Sequence, residues 1–444
     1  MKKKTVFLES LGCSRNTADS ETLISILESR GHKIVRSPVD AEILIVNTCA
    51  FIDAAKEEAI DTIFEMASYK KKGSRLVVTG CFPQIYYDDI LSAIPEVDAV
   101  TGLGDLNFIV NAVENPTIRD YPESRIIGRK YAEYLPKRRL ITQPGFSYVK
   151  IAEGCSRNCS FCLIPKIKGS LRSRLPQNIV SEAHILTGMG VKEIVLTSQD
   201  TLSYGQDLHM KRGLTSLVRK ILDSTEIEHI RLLYLYPVEE LLDYVELFDD
   251  ERVIPYFDIP VQHVSAHILK SMNRFGSHSY FKNIINGIRE RYSHAILRTT
   301  VIVGYPGETE GEFEELKRFI EDVEFNHLGV FEYSPQRETE AFSLKGRVKP
   351  NVARKRKTEL MELQRGISKN HLERETGKKF WVLVEEKIKD KPLYLGRSYH
   401  FAPEVDGVFV LRSEREIEPG SLVMAKATRS DDYDLFGTQY FGTR

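Results

Sequence analysis

The 444-residue chain has no apolar stretch approaching the length needed to cross a bilayer. A secretory leader is not expected at this start: lysines precede Val6, Phe7 and Leu8, but Glu9 ends the apolar run after three residues. The Leu11, Gly12, Cys13 sequence imitates a lipoprotein site, yet no long apolar segment precedes it. Net charge is close to absent at −1, with 62 basic against 63 acidic residues, so whole-chain electrostatics favour no nucleic-acid partner. There is no solenoid-type repeat, no low-complexity tract and no glycine-rich dinucleotide turn. These absences predict a cytoplasmic globular protein of about three domains, and 42% apolar residues suffice for packed cores.

Cysteine is scarce, and its placement is the most informative feature. Of the six, Cys155, Cys159 and Cys162 form a Cys-x3-Cys-x2-Cys run directly after the apolar residues 148–152. An electron-transfer cluster takes four thiolates, and no fourth cysteine lies nearby, so one iron of a cubane is left to bind something else. The alternative is zinc, which needs a closed set of four ligands; no second Cys or His pair follows Cys162 at a suitable spacing.

Cys13, Cys49 and Cys81 each end a short β-branched run, and each run is followed by a helical pattern, over residues 17–30, 54–69 and 84–93. Strands alternating with amphipathic helices predict a parallel α/β sheet, whose strand carboxyl ends share one edge. The three thiols are expected to meet there, each in a turn and none within a helix, as a second three-thiolate site. The alternative is three buried free thiols, since cysteine packs as a small hydrophobe. Disulfides are not expected in a chain without secretory signals.

The β-then-α rhythm continues from residue 146, with strand candidates at 147–152, 193–197, 230–235, 255–259, 296–303 and 328–333. Six such units predict a partial barrel with its chemistry at the strand carboxyl ends. Polar clusters gather there: Ser198, Gln199, Asp200 and Thr201; Gln262 and His263; and the run from Gly304 to Glu308, which otherwise reads as simple turn chemistry. After Gly377 short strands at 380–384, 393–395, 405–411 and 422–425 predict a small antiparallel barrel. That segment holds 11 Lys and Arg against 11 Asp and Glu, so it has no basic footprint for RNA. The resulting division is an N-terminal α/β domain (1–128), a linker (129–143), a partial (β/α)6 barrel (144–350), a connecting helix (351–376) and the small barrel (377–444). The basic runs Arg129, Lys130 and Lys137, Arg138, Arg139, and Arg354 to Lys357, read as solvated connectors.

The whole arrangement resembles the radical S-adenosylmethionine (SAM) methylthiotransferases, in which a three-cysteine N-terminal domain precedes a radical SAM barrel and a TRAM-type barrel. The branch acting on tRNA adenosine tends to read Gly-Cys-Gln-Met-Asn at the first cysteine and Gly-Gln-Asn-Val after the second barrel strand. Here Gly12, Cys13, Ser14, Arg15, Asn16, then Ser198, Gln199, Asp200, Thr201, and Tyr234, Leu235, Tyr236, Pro237 are similar to the branch that modifies a ribosomal protein. Residues 402–407 fit that branch as well, although Phe401 stands where an aspartate is expected.

The resemblance implies a [4Fe–4S] cluster on Cys155, Cys159 and Cys162 that binds SAM, and a second, auxiliary [4Fe–4S] cluster on Cys13, Cys49 and Cys81. It implies methylthiolation of the β-carbon of an aspartate in small-subunit ribosomal protein twelve, with SAM as radical source and methyl donor. An unactivated methylene has no acidic proton, so the chemistry falls to cofactors. An electron donor and a sulfur donor are implied as partners. Ser198, Gln199, Gln262 and Arg298 are the expected SAM contacts, and Glu404, Asp406, Asp431 and Asp432 the acidic groups expected to dock a basic substrate. Two other readings stay open: the same chemistry on tRNA, and a non-catalytic iron–sulfur or zinc RNA-binding protein.

Overall fold

The computed structural model describes residues 3–128, 130–133 and 138–441. Arg129 and Lys137, two members of the basic runs, lie outside the described residues.

The N-terminal sheet is parallel throughout, in the order β2-β1-β3-β4-β5-β6, with β1 Thr5–Ser10, β2 Lys33–Ile34, β3 Ile43–Thr48, β4 Arg75–Gly80, β5 Ala99–Thr101 and β6 Asp120–Tyr121. The central strands are apolar on both faces because both are covered. Ile43, Ile45 and Val77 pack against α1 (Ser14–Ser29) through Leu23 and Leu27, while Leu44, Val46 and Val78 pack against α2 (Asp53–Ser68) through Ile63 and Met66. Strand order therefore reverses between β1 and β3, with their helices on opposite faces. That topological switch point opens a crevice at the strand carboxyl ends. Cys13 and Cys49 flank it.

The barrel consists of two parallel three-stranded sheets. One is β7 (Phe146–Lys150), β10 (Glu193–Thr197) and β11 (His229–Leu232); the other is β12 (Tyr256–Asp258), β13 (Ile296–Val303) and β14 (His327–Glu332). They join where the Leu235 N–H donates to the Asp258 carbonyl at 2.8 Å. The run expected as one strand over 147–152 is two. The chain steps sideways at Ile151, and β8 (Ala152–Glu153) pairs instead with β9 (Arg172–Ser173) in an antiparallel ribbon around the cysteine loop. The strand expected over 230–235 ends at Leu232, because Tyr234 is left-handed with φ 59°.

The C-terminal strands β15 (Lys379–Lys387), β16 (Leu393–Arg397), β17 (Phe409–Arg412), β18 (Leu422–Ser430) and β19 (Leu435–Gln439) close a barrel in the order β15-β16-β17-β19-β18. The strand expected over 405–411 begins only at Phe409, and β19 was not anticipated. Residues 402–406 form a turn, with Glu404 at φ 66°, that enters the large barrel. Asp406 reaches Tyr256 and pairs with Arg298 at 3.5 Å, while the Tyr148 hydroxyl donates to Glu404 at 2.9 Å. Phe401 is fully buried in the small barrel's core, where an unpaired aspartate would be costly.

Two of the basic runs are not solvated connectors. Arg138 is buried and holds Glu21 of α1 and, at 2.7 Å, Glu182, which also binds Arg174 at 2.5 Å. Arg356, in the long helix Pro350–Glu373, is buried and pairs with Glu308 at 3.1 Å. Buried cations require such partners. Both runs fasten one part of the molecule to another.

Candidate functional site

Cys13 caps the N-terminus of α1, Cys49 follows β3, and Cys81 is the first residue of α3 (Cys81–Ala93). The last differs from the expectation that all three lie outside helices. The thiols are close enough to act electrostatically on one another. A Cβ on Gly12, which has φ +92°, would lie 2.7 Å from Cys49 Cβ, so only glycine allows the β1 turn to pass this near. Asn16 stitches the turns together, its amide donating at 3.0 Å to both the Leu11 and Thr48 carbonyls.

The surroundings differ by thiol. Burial pushes Cys13 up, but Arg15, the backbone N–H groups of Asn16 and Arg15, and Lys168 outweigh it and hold Cys13 below the usual thiol range. Burial pushes Cys49 up and Cys81 up to about 12. As bare thiols the last two are poor anions. Metal coordination is the ordinary way to hold such sulfurs deprotonated.

Cys155, Cys159 and Cys162 lie in the loop between β8 and the short helix Ile164–Lys168. The loop is fixed at both ends: the Cys155 N–H donates to the Gly169 carbonyl at 3.0 Å, and Gly154 (φ +75°) passes so near Ser170 that a Cβ would meet its carbonyl at 2.1 Å. Backbone N–H groups of Arg157 and Ile164 point at the sulfurs of Cys155 and Cys162, each at 3.4 Å, and Arg274 Nη1 lies 3.8 Å from Cys159 Sγ. Burial raises Cys155, and Cys162 to about 12. N–H donors aimed at sulfur are the protein's means of stabilising a thiolate and tuning a cluster bound through it.

All six cysteines are free. Among the described residues, no three His, Cys, Asp or Glu side chains are grouped to hold a single metal ion. Three thiols with backbone N–H groups aimed at two of the sulfurs make a donor set of the kind an iron–sulfur cluster takes.

The expected SAM contacts occupy different settings. Ser198 and Gln199 follow β10, and both polar atoms of the Gln199 amide are buried with no partner among the described residues. An amide left so costs free energy unless a ligand satisfies it. Gln262 is left-handed at φ 69°, with its backbone bonded to Thr300 and Ile302 of β13. Arg298 is committed elsewhere, to Asp258 at 3.0 Å and to Asp406 of the small barrel. Asp406, in turn, is 3% exposed at its side chain, so it is no surface docking group as expected.

Arg157 and Arg274 carried no readable signal in sequence. They sandwich Tyr236, at 4.0 Å and 4.4 Å from its ring centre. Arg157 also pairs with the buried Asp200 at 2.9 Å. A cavity of about 390 Å³ opens beside Cys155 and Arg157, lined further by Asp200, Ser203 and Gln206. A cavity of about 500 Å³ lies away from the cysteines, between the long helix and the small barrel.

The two cysteine sets face a shared seam. Arg15 Nη1 donates to the Ser198 carbonyl at 2.9 Å, and Lys150 of β7 bonds Asp19 of α1. Lys168, just beyond the cysteine loop, pairs with Glu153 at 2.7 Å and acts on Cys81. On the far side Asp53 of α2 accepts from Ser334 and Gln336, beyond β14, at 3.0 Å each. The N-terminal domain is thus bolted at both edges across the carboxyl-terminal mouth of the barrel.

Residues 5–102 match the uncharacterized protein family UPF0004, residues 149–320 the radical SAM superfamily, and residues 376–439 the TRAM domain. The chain is 43% identical over 439 residues to a protein of Thermotoga maritima named ribosomal protein uS12 methylthiotransferase RimO, covering 98% of this chain and 99% of that one. The protein of the same name from Aquifex aeolicus is 43% identical over 434 residues, covering 96% and 95%. Among solved structures, the radical SAM methyltransferase TsrM of Kitasatospora setae shares the fold with a TM-score of 0.55 at 13% identity, covering 77% of each chain. With three matching domains, near full-length relatives and both cysteine sets at one barrel mouth, the chain belongs to the RimO family of radical SAM methylthiotransferases.

Proposed function

We propose that the chain methylthiolates the β-carbon of an aspartate in ribosomal protein uS12, holding one [4Fe–4S] cluster on Cys155, Cys159 and Cys162 and a second on Cys13, Cys49 and Cys81. The observation that carries this reading is the seam: two three-thiolate sets, each one ligand short of a closed site, face one barrel mouth. When bound, the clusters and SAM supply the one-electron cleavage of SAM and the sulfur and methyl groups that ordinary acid–base chemistry cannot deliver to an unactivated carbon.

The chain's own residues bind, orient and exclude water. Gln199 offers SAM an amide that no group among the described residues satisfies, with Ser198 at the same end of β10 and Gln262 beyond the end of β12. Arg298 serves instead to lock the small barrel's turn through Asp406. The N-terminal domain closes the mouth and keeps water from it. Electron and sulfur donors are required partners, because no residue of the chain can supply either repeatedly. No helix among the described residues is long and apolar enough to cross a membrane.

The test is anaerobic reconstitution with iron, sulfide and SAM, followed by mass spectrometry of uS12 and of tRNA. A mass increment of one methylthio group on a uS12 aspartate, with tRNA unchanged, is expected. Methylthio groups on tRNA adenosine with uS12 unmodified would overturn the reading.

A further inference from the structure

We propose that Arg15 recognises the substrate by pairing its guanidinium with the carboxylate of the aspartate to be modified. This rests on the function proposed above and narrows its substrate recognition to one side chain.

Arg15 is the second residue of α1 and stands where the N-terminal sheet edge meets the barrel mouth. Its Nη1 donates to the Ser198 carbonyl at 2.9 Å, and its guanidinium lies 4.8 Å from the ring centre of Tyr234, beyond β11. Cys13 and Cys81 are near enough to act on it electrostatically. It therefore touches two barrel strand ends within electrostatic reach of the auxiliary cysteines.

Its partners set it apart from most of the buried cations; Arg75 and Arg274 also lack a carboxylate, but Arg75 is spent on four backbone carbonyls and Arg274 lies by the other cysteine set. Arg138, Arg174, Arg231 and Arg397 are each paired with a glutamate, and Lys168 with Glu153. Among the described residues no carboxylate pairs with Arg15. A guanidinium carries five N–H donors in a rigid fork. The Ser198 carbonyl takes one, and with iron on Cys13 the charge of that nearby sulfur is shared with the metal. What remains is a half-buried cation with donors to spare and no carboxylate counter-ion among the described residues, an arrangement that favours an incoming planar anion.

An aspartate carboxylate suits the position for a chemical reason. Its carbon is bonded directly to the β-carbon, so a carboxylate held by Arg15 keeps the β-carbon one bond away, beside Cys13, Cys49 and Cys81. An asparagine in its place has one acceptor oxygen, no charge and a pair of donors facing the fork.

The experiment measures equilibrium binding of a uS12 peptide spanning the modified aspartate, and of the same peptide with Asp→Asn, to the anaerobically reconstituted full-length enzyme. Wild type is expected to prefer the aspartate peptide roughly 10- to 100-fold, the usual worth of a charge-assisted pair. Arg15→Gln should erase the preference, and Arg15→Lys, which keeps the charge without the fork, should retain only part of it. If Arg15→Gln does not retain iron, the Arg15→Lys ratio decides, and it must fall below wild type. Wild-type discrimination in both variants would overturn the role of Arg15 and leave the proposed function standing. A wild-type enzyme that distinguishes neither peptide and modifies tRNA would overturn both.

Discussion

Tyr305, in the turn after β13, shares a 2.8 Å hydrogen bond with Ser160, the residue that follows Cys159. The phenol is fully buried, and Ser160 is held further by the backbone of Met272 and Ala341. The turn itself is clamped by Glu308, which accepts from the Gly304 N–H and pairs with Arg356. The run from Gly304 to Glu308 is thus a bracket for the cysteine loop.

Tyr305→Phe removes that bond, and the hydroxyl's 3.0 Å bond to the Ser271 carbonyl, without changing the ring. A loss of about 1 kcal/mol of local stability is expected. With Cys13, Cys49 and Cys81 replaced by Ala, so that only the other set holds iron, chelator should extract iron several-fold faster from the Phe variant. Equal extraction rates would show that the hydroxyl does not hold the loop.

Arg274 places a guanidinium near Cys159 Sγ and is steadied by Tyr236 and by the Pro260 carbonyl at 2.7 Å. Donors and positive charge near a cluster sulfur favour the reduced state. Arg274→Gln should lower the midpoint potential of the SAM-binding cluster by about 60 mV, the one-electron equivalent of one charge-assisted bond. Redox titration followed by electron paramagnetic resonance measures it, and an unchanged potential would remove Arg274 from that role.

The two cysteine sets should separate by experiment. Replacing Cys155, Cys159 and Cys162 with Ala is expected to leave about four irons of about eight and to abolish SAM cleavage. Replacing Cys13, Cys49 and Cys81 should also leave about four, preserving 5′-deoxyadenosine formation while methylthiolation disappears. Methylthio transfer at the normal rate in the second variant would deny the auxiliary set any part in sulfur delivery.

Glu193 gives the joint between the barrels an acid limit. It is buried, lies between Arg231 at 2.6 Å and Arg397 at 2.9 Å, and is held down to about 2 by those cations against the opposing effect of burial. Because its folded value lies below its unfolded one, its contribution is complete above about pH 4.5 and is lost as pH falls toward 2. Glu193→Gln should cost on the order of 3 kcal/mol near neutrality, with the difference from wild type shrinking below pH 4.5. A pH-independent difference in chemical denaturation would contradict the assignment.

Cutting the chain at Gly377 is commonly a mild operation on an appended domain, but here it would remove Asp406 from Arg298 and Tyr256 and Arg397 from Glu193. Loss of SAM cleavage is expected along with loss of modification. An assay of 5′-deoxyadenosine formation by the truncated chain, with persistence of normal rates, would show the joint to be dispensable.

Local order in the chain was enough to read the cysteine spacing, the βα rhythm and the barrel strands at 193–197 and 296–303, because each depends on residues near one another in sequence. The same locality explains why the N-terminal cysteines could be brought together on paper: a parallel sheet puts every strand carboxyl end on one edge. Pairings across the chain were out of reach. Arg138 and Arg356 look like surface cations until a distant glutamate is folded against them, and Asp406 looks like a surface acid until its turn enters the other barrel. The place of Arg15 between Cys13 and Ser198, residues 183 apart from Arg15 to Ser198, follows from the packing of one domain on another. Sequence determined where the six thiols stand at strand ends and in the loop after β8, and only tertiary packing decided which cations would be left without a carboxylate, because ion pairing in an interior is set by distance and burial and not by order along the chain.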